Sequence, residues 1–524
     1  MNLPPPPDEL QSLAAQHRLE EVAARFGLHL EVTEEGGRLP FEQLAHVHFQ
    51  GDKLTPNTLR AVLFPYGLAT DERGLLLPWR TGRRSVEGYE DGLLRFLGDL
   101  LIEDPAAFLK RPERAIHIPR DGSLPRSAGY LARFYGGDFL PREKKELVVD
   151  LARSQGPFMR SVDDDPLQIV DAASQIASLA AGFRPDAVQA ALDEGRFDPF
   201  LVAAPPPDSH EAEGVLEAFR DRLRAIAPPG LDHVAFVNGG AEANEKALHI
   251  ARIHGPGGHR VLAFTGSFHG RTLLSLWATY NPVKRVPYQI PGFEAAFLPL
   301  PVADDPYADP AMPDDWRQAW AQREGKRHWD ADDDLLQAEV AALIALETEI
   351  KAGGALACII EPYQCEGGDQ APTRRFFHGL RGLTRAWGLP LIFDEVQSGF
   401  GLSGDNVFWH QRFHLLDAHG LPDGPDLVTG AKRAQVGYVV SRWPDPALTT
   451  SHAASVVRGI CHLDLLQGSP SHAARAHERL AELEAKWGHI VSKPRVFGDA
   501  FAFDMPDAKS ANHLIGQRFY RGYM

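Results

Sequence analysis

Between residues 230 and 440, four short apolar runs recur, each followed by glycine-rich or charged text. They are His233–Val237 (HVAFV), Val261–Phe264 (VLAF), Leu356–Ile360 (LACII) and Leu391–Asp394 (LIFD). Runs this short and this apolar suit strands buried on both faces of a sheet. Helix-like stretches separate several of them. Phe376, Leu380, Leu383 and Trp387 step by four, three and four residues, which is one face of a helix. Such alternation predicts an α/β fold, a sheet covered on both faces that binds ligands at the C-terminal ends of its strands. The acidic, proline-containing stretch Asp304–Asp333 interrupts the pattern and reads as a surface insertion.

The rest of the chain adds limits. At 524 residues it holds two to four domains. Lys+Arg 54 against Asp+Glu 70 gives a net charge of −16, which argues against a general binder of nucleic-acid backbone. Its longest apolar run, Val340–Leu346, is far too short to span a membrane. The start, MNLPPPPDE, lacks the basic and apolar regions of a secretory signal. Three cysteines without a CxxC pair exclude a disulfide framework and a zinc ribbon. A cytoplasmic enzyme is the expectation. Leu10, Leu13, Val22 and Phe26 predict an N-terminal amphipathic helix in a packing extension, and Pro205–Pro207 reads as a linker.

Five segments can carry chemistry. Val237 runs into Gly239-Gly240-Ala241 and then a helical stretch, an arrangement that exposes backbone N–H groups to an anion; an empty tight turn would look the same. Phe268-His269-Gly270-Arg271 offers a ring to stack on a heterocycle and a guanidinium to grip a carboxylate, or simply a core ring beside a surface arginine. Glu361–Asp369 (EPYQCEGGD) sets Glu366 beside two glycines, as a site carboxylate or a turn residue. Asp394 ends an apolar strand, where it needs a buried cation such as a protonated ring nitrogen. Lys432 follows a short apolar segment and Gly430-Ala431; there, desolvation would make its amine a Schiff-base nucleophile, whereas an isolated lysine is ordinarily a solvated charge.

Two other patterns are weaker. Gly399–Gly404 spells GxGxxG, but Glu395–Ser398 separates it from the strand, so a nicotinamide oxidoreductase is poorly supported. His410 and His414 are spaced like metal ligands without flanking acidic or cysteine residues, and no metal site is expected. Together, a phosphate cradle, a stacking ring, a buried aspartate and a later lysine are what pyridoxal 5′-phosphate requires.

From about Glu146 onward the text also resembles the class III (ω-) aminotransferases of the fold-type I pyridoxal-phosphate enzymes. Lysine 6-aminotransferase and the 4-aminobutyrate aminotransferases are the most similar branches. GGAEANEKAL, FHGRT, EPYQCEGGD, FDEVQSGFGLSG and PDLVTGAKRAQV stand in the family's order, with VVDLARSQG (Val148–Gly156) as a fainter match. The resemblance implies a mostly parallel seven-stranded sheet covered by helices, plus a smaller α/β domain. It assigns 206–439 to the large cofactor-binding domain, 141–205 with 440–524 to the small one, and leaves 1–140 as an extension of unknown role. It implies that Lys432 carries the cofactor and Asp394 pairs with the pyridinium. Gln397 would bond the ring hydroxyl, Gly240 and Ala241 would hold the phosphate, and Phe268 would stack on the ring. Arg271 would bind a substrate carboxylate, and Glu366 would gate a second arginine.

The resemblance further implies a homodimer, an amino donor and a keto-acid acceptor such as 2-oxoglutarate. Two departures accompany it. The partner-subunit phosphate threonine has only Thr450 as a candidate, in a loop without the family's glycines. The segment bearing the second arginine would fall beyond Met524, so the small domain reads as incomplete. The expected function is transamination of an ω-amino group from a lysine-, diamine- or 4-aminobutyrate-like donor. The rival reading is a non-catalytic relative that keeps the fold as a scaffold.

Overall fold

The computed structural model describes residues 147–194, 210–447 and 453–511 almost continuously, with short segments between 20 and 135. Leu10, Leu13, Val22, Phe26, Pro205–Pro207 and Thr450 lie outside the described residues. The chain divides into two compact units. One comprises 1–175, 182–185 and 508–524, and the other 176–181 and 186–507. The first contains a four-stranded antiparallel sheet, built around Gly36–Pro40 and Gly74–Pro78, and a hairpin pairing Phe158–Arg160 with Gln168–Val170.

The second unit is built on a seven-stranded sheet. Its strands are β1 (His233–Val237), β2 (Arg260–Phe264), β3 (Glu294–Leu298), β4 (Ala355–Ile360), β5 (Leu391–Asp394), β6 (Leu427–Gly430) and β7 (Gly437–Ser441), in the order β1-β7-β6-β5-β4-β2-β3. Pairing is parallel from β6 through β5, β4 and β2 to β3, and only β7 runs against its neighbours. The four runs read as strands are β1, β2, β4 and β5, as expected. Edge strand β3 escaped notice because Glu294–Leu298 is only partly buried and carries one carboxylate in five residues.

The period of two along each strand divides the core. Leu262, Phe264, Leu391 and Phe393 face a cluster with α3 (Asp334–Lys351) and α4 (Arg374–Trp387). Val261, Ala263 and Ile392 point the other way, onto Ala243, Ala247 and Leu248 of α2 (Gly240–His254). Successive side chains of a strand lie on opposite faces, so both faces need helices. In α4 the stepped residues Phe376, Leu380 and Leu383 are fully buried. Thr373 caps the start by accepting from the Phe376 N–H, and Gly388 at φ 66° ends it in the left-handed region that glycine tolerates. A third cluster packs Phe219 of α1 (His210–Ile226) and Val456 of α5 (Ala453–Gln467) on Phe236, Val428 and Tyr438.

The stretch expected as a surface insertion is part of the core. Trp316, Trp320 and Trp329 are buried in the α3/α4 cluster, with the Trp316 and Trp329 rings 4.6 Å apart. The Trp316 indole N–H donates to the Arg375 carbonyl at 2.9 Å. Its described acidic residues are exposed or half-buried while its three tryptophans supply the buried area, so average composition pointed the wrong way. Among the described residues, no helix is long and apolar enough to cross a membrane.

Candidate active site

Parallel strands in register end on one edge of the sheet, and that edge collects the chemistry. Beyond β1 lies Gly239-Gly240, beyond β2 Phe268 and His269, and beyond β4 Glu361; Asp394 is the last residue of β5, and Lys432 lies just past β6. Loops at this edge are where an open α/β sheet binds ligands.

Gly240 opens α2, and no side chain caps the helix at Gly239. Its first-turn N–H groups are therefore available to an anion, reinforced by the helix dipole. A Cβ on Gly240 would sit 2.5 Å from Val396 Cγ1, so the segment after β5 presses directly on this turn. Glycine is required there for close approach rather than for a positive φ.

Asp394 is buried and hydrogen-bonded on both oxygens. Oδ2 receives the Asn244 amide at 2.7 Å and lies 2.7 Å from His269 Nδ1, while Oδ1 accepts the Val396 N–H at 3.0 Å. Asn244 also donates to the His269 carbonyl and accepts from the Thr429 hydroxyl, both at 2.7 Å. Thr429 is the register partner of Asp394 on the adjacent strand. One amide thus joins α2, β5, β6 and the loop after β2.

Lys432 sits at φ 47° at the start of a short 3₁₀ turn, and its Nζ lies 2.5 Å from Gln397 Oε1. Burial pushes its pKa down, with the nearby Arg433 guanidinium acting in the same direction. Arg433 donates to the Gln397 carbonyl at 2.8 Å, so consecutive cations hold the side chain and the backbone of one glutamine. Glu361 is buried and accepts the Phe268 N–H at 3.0 Å. Its burial, helped by the neighbouring Asp394, pushes its carboxyl well above the usual range.

The substrate candidates are more open. Arg271 is exposed and has no carboxylate partner among the described residues. Glu366 is also exposed, and it pairs with Lys284 at 2.6 Å. Asn244, His269 and Glu361 were not singled out from the sequence, although all three lie within the quoted motifs. Nothing in one sequence couples position 244 to position 394.

The weaker patterns take structural places. The glycines of Gly399–Gly404 open no helix, and Gly401 and Gly404 occupy positive-φ turns. His410 is buried with Nδ1 2.5 Å from Glu395 Oε1, whereas His414 is exposed and ends the 3₁₀ turn.

These residues suit pyridoxal phosphate. An uncapped helix start would suit its phosphate, a desolvated lysine its aldehyde, and a buried carboxylate its ring nitrogen.

Comparison with known proteins agrees. Residues 139–521, well over half of the chain, match the family described as aminotransferase class-III. A probable mitochondrial 4-aminobutyrate aminotransferase of Caenorhabditis elegans is 29% identical, over 70% of this chain and 79% of its own. The L-lysine-epsilon aminotransferase of Mycobacterium tuberculosis is 28% identical, over 72% and 84%. In structure, lysine aminotransferase from M. tuberculosis superposes with a TM-score of 0.60 at 24% identity, covering 76% of this chain and 91% of that one. A taurine:2-oxoglutarate aminotransferase from Bifidobacterium kashiwanohense gives 0.55 at 20% identity, over 72% and 82%. The order of motifs, the sheet they end on and the family match make this chain a member of the class III aminotransferases, pyridoxal-phosphate-dependent enzymes of fold type I.

Proposed function

We propose that the enzyme moves an ω-amino group from a lysine-, diamine- or 4-aminobutyrate-like donor to a keto acid such as 2-oxoglutarate. The observation that carries the reading is the desolvated Lys432 amine, placed against Gln397 and on the same sheet edge as Asp394. When bound, pyridoxal phosphate supplies an aromatic ring that accepts electrons from the substrate carbon. Lys432 would hold the cofactor, and its Nζ would take the proton from the donor's carbon in one half-reaction and give a proton to the keto acid's carbon in the other. Asp394 holds the ring nitrogen, fixed in turn by Asn244 and His269. Gln397 bonds the ring hydroxyl, Phe268 stacks on the ring, and Gly240 and Ala241 hold the phosphate, with Thr450 as the candidate from a second copy. Arg271 takes a substrate carboxylate, and Glu366 sets the charge opposite it.

The reading includes a cytoplasmic homodimer. The exposed apolar side chains of Leu273, Val283 and Tyr288 suit burial against a second copy. The test is borohydride reduction of the yellow holoenzyme followed by peptide mapping. A pyridoxyl group on Lys432, with Lys432→Ala inactive but folded, is the expected result. A label on another lysine, or none, would overturn the reading and favour a scaffold without catalysis.

A further inference from the structure

Two residues just past β6 lie in the left-handed backbone region without being glycine. Lys432 sits at φ 47° and Gln435 at φ 61°, at the two ends of one turn. A residue bearing a Cβ resists this conformation, so the turn persists only where its surroundings hold it. Gln435 holds it twice. Its backbone N–H donates to the Lys432 carbonyl at 2.8 Å, and its side-chain amide donates to the same oxygen at 3.1 Å. The amide also donates to the Ser178 carbonyl, and its oxygen accepts from Arg458. Both donors and the acceptor of one side-chain amide are therefore committed.

Arg458 lies on α5, the helix packed against this turn. Gly459, the next residue, allows the close approach: a Cβ there would stand 2.8 Å from the Ala434 carbonyl oxygen and 2.7 Å from the Phe219 ring. Arg458 is half-buried, and among the described residues Gln435 is its only hydrogen-bond partner and no carboxylate pairs with it. Burial pushes its pKa down, with no acid acting against that. His462, one turn further along α5, is held below its usual pKa by burial and by the Arg458 charge. Burying a cation without a counter-ion is unfavourable. This one supplies a charge-assisted bond, stronger than a neutral one, to the side chain that grips Lys432.

We propose that Gln435, braced by Arg458, is a positioning residue for Lys432: by holding the Lys432 carbonyl it fixes the direction in which the amine leaves the backbone. The inference rests on the proposed reading of Lys432 as the residue that holds the cofactor. Relaxation of its φ from 47° toward the ordinary negative region would swing the Cα–Cβ bond and carry Nζ away from Gln397, which it meets at 2.5 Å. Neither Gln435 nor Arg458 has a part in holding phosphate, ring or substrate. Their effect passes through the Lys432 backbone, so it falls on steps that need the amine and spares those that do not. A glutamate at 435 would accept from Arg458 but offer no N–H to Lys432, which separates the bracing of the arginine from the hold on the lysine.

The test compares two cofactor forms on the apoprotein of the full chain. Pyridoxal phosphate is captured by Lys432, whose amine bonds the aldehyde carbon with loss of water, whereas pyridoxamine phosphate has no aldehyde and binds without the lysine. Gln435→Met keeps the volume and loses the amide. It should slow capture about tenfold, read by absorbance and by borohydride labelling of Lys432, and leave the Kd of pyridoxamine phosphate unchanged. Gln435→Glu should recover thermal stability but not capture. Arg458→Met should slow capture severalfold, and Arg458→Lys should restore part of the loss. Capture at the full rate in Gln435→Met, capture restored by Gln435→Glu, or an equal loss of both cofactor forms would overturn the proposal. Failure of the parent reading is separate: the unsubstituted protein would then capture no pyridoxal phosphate on Lys432.

Discussion

Nδ1 of His269 and Oδ2 of Asp394 lie 2.7 Å apart with both side chains buried, and Asn244 donates to the same oxygen. Asp394 is therefore oriented before any cofactor arrives. Asn244 alone serves three groups: the carboxylate, the His269 carbonyl and the Thr429 hydroxyl. Asn244→Ala strips all three at once. Each unsatisfied buried group costs about 1–3 kcal/mol, so a loss of at least about 2 kcal/mol is expected in urea denaturation of the apoprotein. The cofactor should also dissociate faster as Asp394 gains freedom. Unchanged stability together with unchanged cofactor retention would show that the carboxylate needs no such frame.

Arg271 tests the substrate side. Its guanidinium is exposed and engages no carboxylate among the described residues, so under the proposed reading a substrate acid would meet an uncommitted bidentate donor. Arg271→Lys keeps the charge and loses the fork. KM for carboxylate-bearing donors should rise roughly tenfold, while simple amines are processed as before. Equal effects on the two donor classes would make Arg271 structural.

Legibility in the sequence followed from burial. β2, β4 and β5 are enclosed on both faces, so their text is continuously apolar and each was read directly. The edge strand β3 is only partly covered, while β7 is buried throughout but has a short apolar run, Tyr438–Val440, bounded by Gly437 and Ser441. Trp316, Trp320 and Trp329 were hidden by the acidic and proline residues on either side of them, because composition averages over a window and burial acts on single side chains. Asp394 and Lys432 were legible because each is costly in its context, a carboxylate closing an apolar strand and an amine after an apolar segment. Asn244 and Lys284 were not. Their partners lie 150 and 82 positions away, and only the fold brings them together.

Glu395 stands beside Asp394 in the chain yet faces different chemistry. It is buried and receives the N–H groups of Trp409 at 2.5 Å and His410 at 2.9 Å, with His410 Nδ1 at 2.5 Å. Its task is to anchor the turn Trp409–Phe413, and through the Trp409 ring it supports Tyr363 beneath the Glu366 loop. Glu395→Ala would leave two buried N–H groups unpaired, so about 3 kcal/mol should be lost. Borohydride labelling of Lys432 should survive in the folded fraction. Glu395→Gln, which keeps an acceptor oxygen, should lose less. A variant as stable as the parent would remove the anchoring role.

Acid sensitivity should come partly from two buried histidines, His378 on α4 and His462 on α5, that have no place in the proposed chemistry. Burial pushes His378 and His462 down to a pKa of about 4, from 6.5 in the unfolded chain. Between those values the unfolded state binds a proton that the folded state refuses, so stability rises with pH across the window and falls as the solution is acidified through it. Each residue should remove about 2 kcal/mol of stability by pH 5, and the contribution levels off below pH 4. His378 is the test chosen: its Nδ1 lies 3.3 Å from the Leu416 carbonyl oxygen and 3.4 Å from the Leu416 nitrogen, both backbone partners. His378→Gln cannot protonate. Urea midpoints at pH 7.5 and pH 5 should therefore lie closer together in the variant than in the parent, by the equivalent of about 2 kcal/mol. A difference between the two pH values that is the same in parent and variant would mean that His378 is protonated in the folded enzyme and that the acid loss arises elsewhere.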